Sequence, residues 1–353
     1  MFFTEEPIND NFFSGGSILI KHLAKQLKKK GKEPIIVANE KSNKKFNSIK
    51  VYNKLKFSKN LFLRFFYLLK NKEKIEKLVK KEDPDVLFVN TYGLFLPVFK
   101  VGEKFNKTKI CHVGSFPGKG INSFLAKKLL KKPWDLIFSV GDKLTNYCKK
   151  ITKTKVIDIG NAVDQNKFKK IGKSKARKKL NLPKNKEIIL FVGRLTKVKR
   201  VDDLIEKFSG TYNKNKLLVI VGDGPQRKNL ENLANKLNLE SKVIFKGNLD
   251  YEKMPLVYNA ADVFVLNSKT EGIPRTVLES LSCKTPVFLR KRAGKYFNKY
   301  KTDAIQFFKN KEEFRNNLQK LIKSNPKISG GLLKDFSWNE ISEKLIYVIN
   351  KKI

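Results

Sequence analysis

Two motifs in this sequence combine charged residues with glycine in the way that a phosphate-binding site requires. In the first, FVGRLTKVK, an apolar run ends in glycine, and Arg194 and Lys199 follow five positions apart. An arginine fork matches the geometry of phosphate oxygens, and a lysine ammonium adds a point charge beside it. The pair predicts a diphosphate site, although two solvated cations are the alternative in a chain so rich in lysine.

The second motif, KTEGIPRTVLE, follows a predicted apolar strand and ends at Glu279. Gly272 would let backbone approach a ligand, and Pro274 suits the first turn of a helix, whose exposed amides and dipole favour an anion. Glu279 is suited to accept hydrogen bonds from ribose hydroxyls, and Glu271 from the hydroxyls of a sugar. Two such glutamates are more often surface residues, but their position at a strand–helix junction weakens that alternative.

Three further features are less specific. The turn VGDGP at 221–225 lacks the GxGxxG spacing and is interpreted as mainly structural. Gly15 and Gly16 precede a predicted helix and permit close approach of a phosphate or sugar, as they would in a plain loop. His112 ends a predicted strand beside a glycine-containing loop, where a single histidine is more often structural than catalytic.

The motifs follow short apolar runs that alternate with longer amphipathic stretches. This alternation predicts parallel sheets flanked by helices, with ligands beyond the carboxyl ends of the strands. The predicted strands are 34–38, 86–90, 109–113, 136–140 and 156–159 in the first half, and 187–192, 217–221, 242–245, 262–266 and 286–289 in the second.

The length of 353 residues favours two domains. The lysine-rich segment 164–186 has no strand pattern and indicates the boundary. We expect one domain over 1–165 and another over 166–336. The segment 337–353 predicts a last helix, which we expect to pack back towards the N-terminal domain.

The formal net charge is +43, and only nine of the 76 basic residues are arginine. A compositional excess of lysine on solvated faces is one explanation, and a surface that attracts anionic lipid or phosphate-bearing substrates is the other. Specific nucleic-acid binding is disfavoured, because the chain has no dense basic tail and no recognised binding motif. Three distant cysteines, Cys111, Cys148 and Cys283, support neither a disulfide framework nor a zinc site, and they favour a cytoplasmic location.

The sequence predicts neither a signal peptide nor a membrane span. The segment 56–74, in which Phe, Tyr and Leu residues lie among lysines and Arg64, predicts either a helix on a membrane surface or a buried helix of the first domain. The high positive charge would favour anionic lipid as the partner of such a surface helix. Under that interpretation the protein is peripheral on the inner face of the cell membrane.

In this order, the motifs resemble those of retaining glycosyltransferase family 4, the glycosyl transferases group 1, which has the GT-B fold. The matching elements of the second half are highly specific, and those of the first half are looser. Those of the second half are Gly193-Arg194 with Lys199, the G-D-G-P turn at 222–225, the A-A-D-V strand beginning at 260 and the E-x7-E motif from Glu271 to Glu279. Those of the first half are the Gly-Gly loop and helix at 14–31, P-D-V at 84–86 and N-A-V-D at 161–164.

The resemblance implies an α/β protein with two Rossmann-like, doubly wound parallel-sheet domains facing across a cleft. The N-terminal domain would lie on the acceptor side, and the C-terminal domain would bind the nucleotide sugar. The implied catalytic residues are His112 and Glu271. The implied donor-binding residues are Gly15, Gly16, Arg194, Lys199, Gly272, Ile273, Pro274 and Glu279.

Three departures from the family pattern fall near these residues. Arg200 stands where the family usually has glycine, and Lys284 replaces the glycine before Thr-Pro-Val. The segment 290–294, RKRAG, stands in place of the family's G-G-x-x-E. These changes bear on the contacts that the donor sugar would make.

The predicted reaction moves a sugar from a nucleotide diphosphate to a hydroxyl of a glycan or lipid-linked acceptor, with retention and without a metal or other cofactor. Arg194, Lys199 and the helix start would stabilise charge on the leaving diphosphate. No pair of inward carboxylates suggests a glycosidase. The alternatives are a nucleotide-sugar epimerase of the same fold and a non-enzymatic protein that binds polyanions or membranes.

Overall fold

The structure, a computed structural model, describes residues 1–8, 15–57, 61–117, 121–211, 215–300 and 302–351. The chain forms two units: unit 1 contains Met1–Gly160 and Trp338–Ile353, and unit 2 contains Asn161–Ser337. The first boundary precedes the predicted one at 165, because residues just after Gly160 bond within unit 2. The Val163 amide donates to the Phe336 carbonyl, and Gln165 Nε2 donates to the Leu333 carbonyl.

In the described residues, unit 1 has one eight-stranded sheet in the order β3-β4-β2-β1-β5-β6-β7-β8. Every neighbouring pair is parallel except β3 and β4. Its strands are β1 (Phe2–Phe3), β2 (Ile35–Asn39), β3 (Lys45–Phe46), β4 (Ile49–Leu55), β5 (Val86–Val89), β6 (Thr108–Val113), β7 (Leu136–Ser139) and β8 (Val156–Asp158).

The helices of unit 1 are α1 (Gly15–Lys29), α2 (Leu61–Glu82), α3 (Tyr92–Lys104), α4 (Ile121–Leu130), α5 (Asp142–Lys149) and α12 (Trp338–Asn350). Buried residues of α2, α3, α4 and α5 share one core with one face of the sheet. Helix α1 leads to the strand on the other side of β1, so right-handed crossovers place it on the opposite face. Helix α12 packs against α1, where Trp338 stacks on His22 with ring centroids 4.5 Å apart.

Within its described residues, unit 2 has a six-stranded sheet in the order β11-β10-β9-β12-β13-β14, parallel throughout. Its strands are β9 (Glu187–Val192), β10 (Lys216–Val221), β11 (Val243–Gly247), β12 (Val263–Leu266), β13 (Val287–Arg290) and β14 (Ile305–Phe308). Its helices are α6 (Lys173–Lys179), α7 (Val201–Ser209), α8 (Arg227–Lys236), α9 (Met254–Ala260), α10 (Arg275–Ser282) and α11 (Lys311–Ser324).

The predicted class, an α/β protein with two doubly wound parallel-sheet units, is confirmed. All ten predicted strands form, with ends within two residues of the prediction. The list of predicted strands lacks β3, β4 and β14, which lie at or next to sheet edges, and β1, a central strand of two residues. No described helix is long and apolar enough to cross a membrane.

Candidate active site

The predicted donor residues of unit 2 lie where its chain path reverses direction. From β9 the chain runs outwards to β10 and β11, then returns to β12 on the other side of β9. The crevice between the carboxyl ends of β9 and β12 is the topological switch point, where doubly wound sheets bind ligands. The loop after β9 carries Arg194 and Lys199, and the loop after β12 carries Glu271. Strand order therefore brings both motifs to one place.

Two glycines of the VGDGP turn support the loop that carries Arg194. A Cβ on Gly222 would lie 2.1 Å from the Gly193 carbonyl oxygen, and one on Gly224 would lie 2.5 Å from that of Leu195. The Gly193 amide donates to the Val221 carbonyl at 3.0 Å, and the Leu195 amide to the Asp223 carbonyl at 2.9 Å. The turn thus holds the neighbouring loop by direct backbone contact, while the side chain of Arg194 is exposed.

Lys199 and Glu271, predicted to contact different parts of the donor, contact each other. Lys199 Nζ lies 2.6 Å from Glu271 Oε1, and both side chains are largely buried. The Lys269 amide also donates to the Val198 carbonyl at 2.8 Å, so the loops after β9 and β12 are joined by backbone as well. A donor diphosphate that binds Lys199 would therefore share this cation with Glu271.

Arg200 and Asp203 fix the turn that presents Lys199. Arg200 has φ 51 and ψ 48, the left-handed conformation, which explains why glycine is usual at this position. Its Nη2 lies 3.0 Å from Asp203 Oδ1, and its carbonyl accepts from Asn267 Nδ2 at 2.7 Å. Burial raises the pKa of Asp203, but hydrogen bonds from Lys207, Asn267 and Arg200 outweigh it and lower the pKa to about 2.

The second departure from the family pattern, Lys284 in place of glycine, also keeps the backbone conformation that favours glycine. Lys284 follows α10 with φ 63, so the chain keeps the left-handed backbone without the glycine. Its Nζ donates to the Ile328 carbonyl at 2.9 Å. At the third departure, Arg290 ends β13, and within the described ranges its buried Nη1 has no hydrogen-bond partner.

The start of α10 follows Glu271 through Gly272, Ile273 and Pro274. Pro274 is the N-cap residue with φ −69, one position before the helix, and Ile273 and Pro274 are buried. Asn161 Nδ2 donates to the Ile273 carbonyl at 2.9 Å and holds the loop in place. The first amides of α10 and its dipole form a site that favours negative charge.

Glu279 lies in the second turn of α10 and is buried against two tyrosines. Its Oε2 accepts from the Tyr258 hydroxyl at 2.7 Å, and its Oε1 from the Tyr251 hydroxyl at 3.3 Å. Burial raises the pKa of Glu279, and the tyrosine hydrogen bonds and Arg275 oppose that shift. A carboxylate has about four lone-pair positions, so it can accept ribose hydroxyls besides the two tyrosines.

The remaining predicted residues lie in unit 1. Gly15 and Gly16 form the first turn of α1, while Ser14 of the same motif lies outside the described residues. His112 lies near the carboxyl end of β6, only 5% exposed, with its ring centroid 6.2 Å from that of Phe88. The structure therefore places these three residues near the carboxyl edge of the unit 1 sheet.

Several residues that shape the unit 2 site were missed by sequence reasoning. Asn161 had a signal, since it lies in the matched N-A-V-D element. Asp203 had a local signal, since Lys207 follows it by four positions on the same helix. Tyr258 and Asn267 bond to residues 21 and more than 60 positions away, for which local pattern gives no sign. Over the described part of the chain, no group of three His, Cys, Asp or Glu side chains is arranged to hold a metal ion.

Comparisons with known proteins bear on the second half most strongly. The sequence model of the family described as "Glycosyl transferases group 1" matches residues 172–351, just over half of the chain. An uncharacterized glycosyltransferase of Methanocaldococcus jannaschii is 29% identical over 279 residues, which cover 72% of this chain and 64% of that protein. The alpha-monoglucosyldiacylglycerol synthase of Acholeplasma laidlawii is 30% identical over 171 residues, covering 47% of this chain and 41% of the synthase. This chain thus aligns with less than two thirds of either relative's length.

The fold of the whole chain also resembles that of solved structures. The Anabaena protein HepE, solved in complex with UDP-glucose, has a TM-score of 0.79 at 17% identity. The match covers 99% of this chain and 98% of HepE. At this identity the likeness shows the fold alone, and it agrees with the class expected from the motifs.

Proposed function

This chain belongs to the glycosyl transferases group 1 family. We propose that it is a glycosyltransferase that moves a sugar from a nucleotide-diphosphate donor to a hydroxyl acceptor with retention of configuration. One observation carries the proposal: strand order brings Arg194, Lys199, Glu271 and the start of α10 to the switch point of unit 2. The buried Glu279 lies further along the same helix.

The chemistry that this site supports is stabilisation of a leaving diphosphate. Charge develops on the diphosphate as the bond between its oxygen and the anomeric carbon of the sugar breaks, and preorganised cations and amides lower the energy of that state. Arg194 is exposed and ready to bind, Lys199 is held by Glu271, and the α10 amides add partial positive charge. We propose that these groups suffice without a metal. Glu271 would then orient a sugar hydroxyl while it fixes the lysine.

The nucleoside end of the donor is assigned to Glu279. Its carboxylate is already oriented by Tyr258 and Tyr251, so the ribose hydroxyls meet a fixed acceptor. HepE was solved with UDP-glucose, and the Acholeplasma relative is named as a synthase of a monoglucosyl lipid. We therefore propose a UDP-hexose donor and a glycan or lipid-linked acceptor.

The test is donor binding by calorimetry at physiological salt, with UDP, GDP, ADP and their glucose conjugates. We expect selective binding of one nucleotide, weakened at least tenfold in Arg194→Ala and in Glu279→Ala, because each removes a charge-assisted contact. Lys236→Ala, an exposed lysine on α8, is the matched control and should bind as the wild type does. Chelator should leave binding and turnover unchanged.

The other readings of the sequence predict different results. A polyanion-binding protein would bind heparin, lose it as salt rises, and show no selectivity among the nucleotides. An epimerase would convert the donor sugar without any acceptor. Equal binding of all three nucleotides by wild type and both variants would reject the transferase proposal.

We also propose that unit 1 attaches peripherally to an anionic membrane at the cytoplasmic face. Four exposed apolar side chains of unit 1 lie in α2 and α4, which follow the carboxyl ends of strands and flank α3. Phe66 is 46% exposed, Leu69 53%, Phe124 66% and Leu125 47%. The net charge of +43 complements anionic lipid. Residues 58–60 of the segment 56–74 lie outside the described residues. Ile75 and Val79, further along α2, are buried, so this helix also packs in the core of unit 1.

Vesicle sedimentation tests this attachment. We expect the protein to bind vesicles of phosphatidylglycerol and phosphatidylcholine. Its affinity should fall at least tenfold when Phe124 and Leu125 are both changed to serine, because each change removes an apolar side chain that would be buried in the bilayer. Tyr347→Ser is the control, since Tyr347 is 59% exposed on α12, which packs on the opposite sheet face. Equal loss in the control, or no preference for anionic vesicles, would contradict the proposal.

A further inference from the structure

The sheet of unit 1 has its own topological switch point, between β1 and β5. From β1 the chain runs to β2 on one side, and it returns from β4 to β5 on the other. The crevice at the carboxyl ends of these two strands is where such a sheet binds a ligand. The residues that follow the strands are Thr4, Glu5 and Glu6 after β1, and Asn90 and Thr91 after β5.

Polar atoms in this crevice are buried and lack partners. Within the described ranges, Glu6 Oε2, Asn90 Nδ2, Asn90 Oδ1 and Thr91 Oγ1 are buried with no hydrogen-bond partner. Buried polar groups are almost always paired in native proteins, so a cluster of unpaired ones indicates a ligand that completes them. Every member of this cluster belongs to unit 1, whereas Arg194, Lys199, Glu271 and Glu279 belong to unit 2.

The backbone holds these side chains close together. The backbone N–H of Asn90 donates to the Phe3 carbonyl at 3.3 Å, and the backbone N–H of Glu6 donates to Thr4 Oγ1 at 3.1 Å. A Cβ on Gly16 would lie 2.6 Å from Glu6 Oε2 and 2.7 Å from Asn90 Nδ2. Only glycine at the first turn of α1 therefore lets the carboxylate and the amide converge.

We propose that this crevice binds an uncharged, hydroxyl-bearing unit of the acceptor, an inference that rests on the proposed transferase function. Glu6 Oε2 accepts a hydrogen bond from a hydroxyl, Asn90 donates through Nδ2 and accepts through Oδ1, and the Thr91 hydroxyl can donate or accept. A hydroxyl both donates and accepts, so a sugar or glycerol unit satisfies all four atoms. A phosphate ester would face the Glu6 carboxylate, which makes the crevice select against anions although the chain is strongly basic.

The test compares octyl β-glucoside with its 6-phosphate by calorimetry, without donor. We expect the neutral glycoside to bind at least tenfold more tightly. Glu6→Gln should weaken binding of the neutral glycoside about 10-fold and abolish the preference for it over the phosphate ester. The glutamine side chain is uncharged, so it neither makes the charged hydrogen bond nor repels the phosphate. Thr91→Val, which removes only the hydroxyl, should weaken both probes. Glu33→Gln removes one exposed carboxylate of unit 1 and is the matched control.

The inference is overturned if the phosphate ester binds as tightly as the neutral glycoside, or if Glu6→Gln and Thr91→Val bind both probes as the control does. UDP binding by the same variants separates this failure from a failure of the proposed function. All unit 1 variants should retain wild-type affinity for the nucleotide, which depends on Arg194 and Glu279. Loss of nucleotide selectivity in the wild type would instead reject the transferase reaction itself.

Discussion

Replacing Asp203 by asparagine should destabilise unit 2 by about 2 to 3 kcal/mol at pH 7. Asp203 Oδ1 lies 2.5 Å from Lys207 Nζ and 3.0 Å from Arg200 Nη2, and Oδ2 accepts from Asn267 at 2.8 Å. The pKa falls from 3.8 to about 2, which corresponds to about 2 kcal/mol at roughly 1.4 kcal/mol for each tenfold change in proton affinity. The remainder is the cost of leaving Lys207, which is buried, without its carboxylate.

The same argument fixes how the effect depends on pH. Because the folded pKa of Asp203 is depressed, its stabilisation is complete above the unfolded value of 3.8 and is lost as pH falls through about 2. The difference between wild type and Asp203→Asn should therefore be constant from pH 7 to 5 and fall to about half at pH 3.

Urea unfolding followed by fluorescence, at a series of pH values, measures the difference. Asp202→Asn is the matched control, because Asp202 lies in the same first turn of α7 but is exposed. It should cost at most about 1 kcal/mol, the contribution of a carboxylate to a helix dipole. An equal loss in both variants, or a difference for Asp203→Asn that stays the same from pH 7 to pH 3, would refute the reasoning.

Three further changes test the support of the donor site. Gly224→Ala should cost about 2 to 4 kcal/mol and weaken nucleotide binding, because its Cβ would lie 2.5 Å from the Leu195 carbonyl oxygen and φ is 158; wild-type melting and affinity would contradict this. Tyr258→Phe removes a hydrogen bond that lowers the pKa of Glu279, so that pKa should rise further. UDP binding should then be lost at a higher pH as the solution is acidified, and unchanged binding across pH would show that Glu279 does not act as a carboxylate. Lys284→Gly should leave stability within about 1 kcal/mol of wild type, because it relieves the strain at φ 63 but removes the hydrogen bond from Nζ to the Ile328 carbonyl; a larger loss by thermal unfolding would contradict relief of strain at this position.

Much of the fold was predictable from local pattern. A strand buried in a parallel sheet is a short, continuous apolar run, and segments such as Glu187–Val192 show it plainly. Two strands at or next to one edge of the unit 1 sheet were missed because Lys45–Phe46 has two residues and Ile49–Leu55 contains three polar ones. The domain boundary was displaced because a lysine-rich segment gives no sign of which unit its first residues pack in.

The candidate site was only partly predictable. The sequence identified Arg194, Lys199, Glu271 and Glu279 because their motifs follow strands, and chain topology requires such residues to meet at a sheet edge. It assigned Lys199 to the donor diphosphate and Glu271 to the sugar, and it gave no sign that the two side chains lie 2.6 Å apart. Their separation of 72 positions leaves no local signal of the pair.

The sequence by itself determined the α/β class, the family and the position of each motif along the chain, because strand runs, glycine turns and helix starts depend on neighbours within a few residues. The tertiary structure decided what those motifs contact. Only folding shows that Tyr258 orients Glu279, that Arg200 keeps a backbone conformation usual for glycine, and that Glu6 converges with Asn90 over Gly16. Each of these contacts joins residues that are far apart in sequence or depends on backbone angles that residue type alone does not fix.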